Sequence, residues 1–82
     1  MTMRYLTPAQ YKVLRGIDDF INKNTYSPTY REIAKSLNYS SVATVANHIG
    51  ELKKKGYIDM VDFAHRSIRI ISEYSEDEIK YN

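Results

Sequence analysis

The fold of this chain is decided by residues 40–56, which read SSVATVANHIGELKKKG. Ser41, or Ser40 one residue earlier, can cap a helix there by accepting a hydrogen bond from a free backbone N–H. Gly56 can end this helix in the left-handed conformation, and the three lysines before it suit the negative end of a helix dipole. Apolar residues at helical spacing predict a stripe that faces a core: Val42, Val45, Ile49 and Leu52.

The opposite face of this predicted helix is small near its start, polar in its middle and basic at its end. A rotation of about 100° per residue groups four side chains there: Ala43, Thr44, Asn47 and Lys54. A helix that enters the major groove of DNA needs this profile, because small residues permit close approach, amides and hydroxyls read base edges, and lysines meet phosphates. A solvated helix face without a partner has the same profile, so the helix alone leaves both interpretations open.

Composition limits what the chain can be. Its 82 residues suffice for one domain, and the lack of cysteine excludes disulfides and thiolate metal sites. No apolar run approaches the roughly 20 residues that span a bilayer, and the N-terminus has no apolar signal-peptide core. We therefore expect a cytoplasmic protein.

Charge is distributed unevenly along the chain. Residues 1–72 hold eleven of the twelve lysines and arginines and six of the ten acids, a net charge of +5, whereas residues 73–82 hold one lysine and four acids, a net charge of −3. A basic body with an acidic tail fits a nucleic-acid binder, although many ordinary domains share it. We predict one folded domain at residues 1–72 and a flexible acidic tail at residues 73–82.

Two further helices are predicted before residue 40. Residues 7–10 (TPAQ) place threonine at an N-cap, proline at the first helical position and glutamine three residues after the cap, which begins a helix from about Pro8 to about Lys23. Thr29 and Glu32 form the same capping box at the start of a short second helix. A connection of only a few residues then leads into the third helix, as in a helix-turn-helix, whose second helix is the reader.

The periodicity changes from helical to strand-like after Gly56. Residues 57–61 (YIDMV) and 68–71 (IRII) are rich in strand formers, and residues 62–67 between them predict a hairpin loop longer than a two-residue turn. Three helices and a C-terminal hairpin make a winged helix-turn-helix, a mainly α fold with a small β-hairpin. The hairpin residues expected to complete the core are Ile58, Met60, Ile68 and Ile70.

Several short motifs carry a family resemblance. They are LT at residues 6–7, PTYREIA at 28–34, the segment 41–49, KGYI at 55–58 and RSIR at 66–69. Taken together, and without an obvious gap between Leu6 and about Ile70, they resemble the N-terminal DNA-binding domain of the LexA repressor family.

This resemblance implies that the third helix enters the major groove of double-stranded DNA and that the hairpin loop contacts the backbone. The positions that match the family's base-contacting residues are Ser41, Ala43, Thr44, Ala46 and Asn47. Asn47 is the most informative, because an amide can pair bidentately with adenine, and Ala43 and the Thr44 methyl could contact a thymine methyl. For His48, packing is an alternative to a phosphate contact. The candidates for backbone contacts are Tyr30, Arg31, His48, Lys53, Lys54, Lys55, His65 and Arg66.

The chain also departs from the family pattern. A LexA repressor continues into a serine–lysine self-cleaving domain that dimerises it, and nothing comparable follows residue 72. We therefore expect a non-enzymatic repressor or regulator, related to the SOS response, with no self-cleavage, cofactor, metal or small-molecule substrate. Such a chain is either an excised domain or a standalone protein of the kind a phage or plasmid carries.

A single small module reads one half-site, so two copies are expected on a palindromic operator, as a homodimer at least on DNA. The alternative is a winged-helix protein-interaction module that modulates a repressor or RNA polymerase through its tyrosines, Phe63 and acidic tail. A continuous basic face around Asn47 and Arg66 would favour DNA, whereas an exposed apolar patch that includes Phe63 would favour a protein partner.

Overall fold

A computed structural model describes residues 4–61 and 66–81 of the chain. The described residues form three α-helices, two strands and one 3₁₀ turn, and none of these helices is long and apolar enough to cross a membrane. In chain order the elements are α1 (Pro8–Asn24), α2 (Tyr30–Ser36), α3 (Val42–Lys54), β1 (Ile58–Asp59), β2 (Arg69–Ile70) and the 3₁₀ turn (Glu76–Glu78). The predicted winged helix-turn-helix is confirmed.

The helices α1 and α2 begin at the predicted capping boxes. Thr7 Oγ1 accepts a hydrogen bond from the backbone N–H of Gln10 at 3.1 Å, and Gln10 Oε1 accepts one from the N–H of Thr7 at 3.1 Å. Thr29 and Glu32 repeat this exchange at 3.2 and 2.8 Å. Each box satisfies two backbone donors that the first turn of a helix would otherwise leave free.

The caps of α3 are also as predicted, but one residue of its apolar stripe is not. Ser41 is the N-cap and accepts from the N–H of Ala43 at 3.1 Å, and Gly56 follows the helix with a φ of 81°. Val45 is fully buried, whereas Val42 is 40% exposed. The prediction that Val42 faces the core is wrong, because this residue opens the helix and lies a turn beyond the part that the core covers.

The core lies between the three helices and β1. Helix α1 packs against both α2 and α3, and a Cβ added at Gly16 of α1 would lie 3.3 Å from Leu37 Cδ1, so glycine permits a close approach between α1 and the end of α2. The predicted hairpin residues Ile58 and Ile68 are buried, and Met60 and Ile70 pack against the core. The buried apolar residues are Leu6, Val13, Leu14, Ile17, Ile33, Ala34, Val45, Ile49, Leu52, Tyr57, Ile58 and Ile68.

The hairpin pairs over a shorter length than its sequence suggests. Strands β1 and β2 are antiparallel, with Ile58 opposite Ile70 and Asp59 opposite Arg69. Beyond these pairs, Ser67 Oγ accepts from the N–H of Val61 and donates to its carbonyl, both at 3.1 Å. The Ser67 hydroxyl thus satisfies both backbone groups of Val61, which adds no pair to the ladder. The predicted loop residues 62–65 lie outside the described residues.

The segment after the hairpin runs back along the N-terminus. Leu6 and Ile79 form a parallel bridge, in which Leu6 N donates to the Glu78 carbonyl and Lys80 N to the Leu6 carbonyl, each at 2.8 Å. Tyr74 lies edge-on to Tyr11, with 5.9 Å between ring centroids. The domain boundary at residue 72 and the flexibility of residues 73–82 stay predictions.

Candidate nucleic-acid interface

The outer face of α3 is exposed to solvent because its inner face is buried in the core. Val45, Ile49 and Leu52 are at most 1% exposed and fix the rotation of the helix about its axis. The opposite side therefore points to solvent, with Ala43 and Asn47 exposed. The other base-contact candidates lie around this pair: Ser41 is exposed, and Thr44 and Ala46 are half-buried.

Asn47 has its amide available for a ligand. It lies in the second turn of α3, and its side chain makes no hydrogen bond to another residue within 4–61 or 66–81. An exposed amide carries two donors and an acceptor, which is the chemistry that reads the edge of an adenine.

His48 lies at the flank of α3, beside the connection from α2. Its half-buried ring is tilted by 42° against the ring of Tyr39, with 5.9 Å between centroids. Tyr39 is in turn approached by Lys12 Nζ at 5.7 Å from its ring centroid. His48 therefore packs on the helix-turn-helix connection while part of its ring stays open to solvent.

The three lysines that end α3 differ in what they contact. Lys53 and Lys54 are exposed, and Lys54 pairs with Glu51 at 3.4 Å, an exposed ion pair of small energetic value. Lys55 is half-buried, and its Nζ donates to the Tyr5 carbonyl at 2.7 Å and to Gln10 Oε1 at 2.6 Å. The charge of Lys55 therefore ties the end of α3 to the start of α1.

Arg66 ties the base of the wing to α2. Its guanidinium donates to the Ser27 carbonyl at 3.0 Å and to both carboxylate oxygens of Glu32, at 2.9 and 3.3 Å. It also lies 4.6 Å from the ring centroid of Tyr26. The hydrogen bond from the Thr29 N–H, reinforced by Arg66, lowers the pKa of Glu32 below its usual value. The neighbouring wing candidate, His65, lies outside the described residues.

The remaining backbone-contact candidates lie on α2. Arg31 is exposed, whereas Tyr30 is half-buried and donates from its hydroxyl to Met60 Sδ at 3.5 Å. Tyr30 thereby connects the first turn of α2 to the residue that follows β1. Along the described chain, no group of three or more histidines, cysteines, aspartates or glutamates could hold a metal ion.

Sequence reasoning missed the contribution of Ser27. This loop serine is only 7% exposed, and its Oγ accepts from the N–H of Ile68 at 3.1 Å and donates to the Pro28 carbonyl at 3.2 Å. Together with Arg66 it fixes the wing against the start of α2. A serine before a proline in a polar loop gives no signal of burial, because its partner is 41 residues away.

Comparisons with known proteins agree with this architecture. A family model described as the LexA DNA binding domain matches residues 3–67. The LexA repressor of Finegoldia magna is 40% identical over 78 residues, which are 92% of this chain and 38% of that protein. The LexA repressor of Syntrophobacter fumaroxidans is 43% identical over 53 residues, 65% of this chain and 26% of that protein. A Staphylococcus aureus LexA repressor is 34% identical over 77 residues, 94% of this chain and 37% of that protein.

The chain therefore spans well under half the length of these relatives. The family model, in contrast, covers the three helices and reaches the end of the wing loop. On this match the chain belongs to the family of LexA DNA-binding domains.

Proposed function

We propose that the chain binds operator DNA as a LexA-like transcriptional repressor or regulator, with α3 in the major groove and the wing on the sugar-phosphate backbone. The observation that carries this proposal is the outer face of α3, where Ala43 and the exposed amide of Asn47 stand clear of the fold. Membership of a family of DNA-binding domains supports it independently.

The proposed base contacts follow from the chemistry of each side chain. Asn47 pairs bidentately with an adenine, and Ala43 and the methyl of Thr44 contact a thymine methyl. Ser41 and Ala46 complete the surface that faces the bases. Ala46 has no polar group that could read a base edge, so its contact discriminates between bases by steric fit alone.

The proposed phosphate contacts surround this surface. Lys53, Lys54 and Arg31 are exposed, and the ion pair of Lys54 with Glu51 is itself exposed, so each side chain can be approached by a phosphate. Lys55 and Arg66 already donate hydrogen bonds within the protein. In the proposed complex, each contacts a phosphate either in addition to these bonds or in exchange for them. Tyr30, His48 and His65 are the other members of the proposed set.

We propose further that two copies bind a palindromic operator in the bacterial nucleoid. One module supplies one reading helix and hence one half-site. The relatives are named as repressors of the LexA type, so control of DNA-damage genes is the corresponding proposal for this chain.

Selection of bound sequences from random duplex DNA, repeated with Asn47→Ala, tests the placement of α3. We expect loss of preference at one or two positions and about 1–3 kcal/mol of discrimination lost there. Asn22→Ala is the matched control, since Asn22 is an exposed asparagine on α1, and it should retain the full preference. An unchanged preference in Asn47→Ala would show that another residue reads the operator.

Binding measured at increasing salt concentration distinguishes DNA binding from the protein-interaction alternative. Phe63, on which that alternative depends, lies outside the described residues. A DNA complex that neutralises Z phosphates loses affinity with a log–log slope of about −0.9Z. A chain that binds no duplex at low salt but captures a repressor or RNA polymerase would support the alternative.

A further inference from the structure

Gly50 occupies the interior of α3 although no described part of the protein requires glycine there. A Cβ added at Gly50 would meet nothing within 4 Å, so packing does not exclude a side chain. Gly50 is not among the residues with positive φ, so its backbone conformation suits any residue. Glycine inside a helix lowers stability relative to alanine, because its backbone loses more freedom on folding. The fold therefore gives up stability at this position without any gain in packing.

Gly50 lies on the proposed DNA-binding face, so glycine lowers the stability of the helix at that face. At about 100° per residue, Gly50 lies on the same side of α3 as Asn47 and Lys54, and it is exposed. It follows Asn47 by about 4.5 Å along the helix axis and Ala43 by about 10 Å. Gly50 thus separates the part of the face that bears base-contact candidates from the part that bears lysines.

We infer that the sugar-phosphate backbone of a bound duplex approaches α3 over Gly50 more closely than a methyl group allows. This inference rests on the proposed function. When the first two turns of α3 face the bases, its third turn passes the edge of the groove, where the phosphates lie. Glycine permits close approach of another backbone, and Lys53 and Lys54 follow where their charges can meet the same strand. Gly50 is then a positioning residue that sets how deeply α3 enters.

Gly50→Ala in the full chain tests this inference with two readouts that should move in opposite directions. The melting temperature should rise by about 4 °C, because alanine is the better helix former and its methyl meets open space. Affinity for the duplex selected by the wild type should fall about tenfold, because the methyl forces the helix outward. Affinity for an unrelated duplex of equal length should fall by a similar factor, since phosphate contacts carry no sequence information.

Asn22→Ala is again the matched control, because it should also stabilise a helix but lies at an exposed position on α1. It should raise the melting temperature and leave both affinities unchanged. Unchanged affinity in Gly50→Ala would overturn the inference, and so would a loss confined to the selected duplex, which would place Gly50 over base edges. A changed sedimentation of the free variant would also overturn it by assigning the glycine to a contact between copies. Failure of the wild type to bind any duplex would refute the proposed function itself, before any variant is measured.

Discussion

At the scale of single residues, Tyr57 links the core to the C-terminal segment. Its ring is fully buried, and its hydroxyl lies between two acceptors, the Arg4 carbonyl and Glu78 Oε2. Burial, followed by the hydrogen bond to Glu78, raises the pKa of Tyr57 to about 12. Since the unfolded chain loses this proton near pH 10, the tyrosine contributes stability that is complete below pH 10 and is lost as the pH rises through about 12.

Tyr57→Phe should therefore reduce the decrease in the free energy of unfolding at high pH. Between pH 10 and 12 the wild type should lose on the order of 2 kcal/mol through this group, and the variant should lose correspondingly less. Urea unfolding at each pH measures the difference. Tyr81→Phe is the control, because Tyr81 is 72% exposed and should retain the wild-type dependence. Parallel curves for wild type and Tyr57→Phe would contradict the prediction.

The contribution of Glu32 to folding stability has the opposite dependence on pH. The Thr29 N–H and Arg66 lower its pKa, so its contribution is present above the unfolded pKa near 4.5 and is lost as the pH falls through the lower folded value. Glu32→Gln keeps an oxygen for the capping box but removes the charge that holds Arg66. The variant should melt below the wild type at pH 7, and the difference should shrink at pH 3. Glu76→Gln, in an exposed position of the C-terminal segment, should show no such shrinkage.

At the scale of elements, Gly56 determines how α3 leads into the hairpin. Its φ of 81° lies in the left-handed region, which costs a residue with a side chain roughly 1–2 kcal/mol. Gly56→Ala should therefore destabilise the protein by about 1 kcal/mol even though its Cβ would meet nothing within 4 Å. Thermal unfolding should show the contrast with Gly50→Ala, which is expected to stabilise. A melting temperature unchanged in Gly56→Ala would show that the end of α3 relaxes without cost.

The elements were predictable from sequence where their determinants are local. Capping boxes and helical spacing lie within a few residues of one another, so the three helices and the exit at Gly56 could be identified. The features that the sequence did not reveal involve distant partners. The exposure of Val42 depends on which elements cover the first turn of α3, and the hydrogen bond of Lys55 depends on Tyr5, 50 residues away. The hydrogen bonds of Ser67 to the backbone of Val61 likewise cannot be read from a pattern of strand-forming residues.

The same distinction applies to the candidate interface. The rotation of α3 follows from its apolar positions, so the exposure of Asn47 and Ala43 could be expected from the sequence. The engagement of Arg66 by Glu32 and Ser27 could not, because it depends on how the hairpin packs against α2. The sequence thus predicted which side chains of α3 are exposed, whereas only the structure shows that Lys55 and Arg66 donate hydrogen bonds within the protein.

At the scale of the whole molecule, size limits how two copies can share an operator. The described protein measures 32 × 25 × 23 Å, and half-sites one helical turn apart place two reading helices about 34–36 Å apart. At this spacing we expect two copies on one face of the duplex to fit side by side, with at most a small contact between them. Such a contact falls short of the roughly 1,200 Å² of a stable interface, so we expect pairing on DNA and a monomer in solution.

Sedimentation of the free chain and of its complexes tests this arrangement. The free chain should sediment as a monomer, a duplex with two half-sites should bind two copies, and a duplex with one half-site should bind one. Five base pairs inserted between the half-sites rotate the copies to opposite faces of the DNA. If the copies touch only marginally, this insertion should change the affinity of the second copy by less than about tenfold, which corresponds to 1.4 kcal/mol. A dimer in the free protein, or a single copy on the two-site duplex, would show that operator recognition depends on a contact between copies or needs only one reading helix.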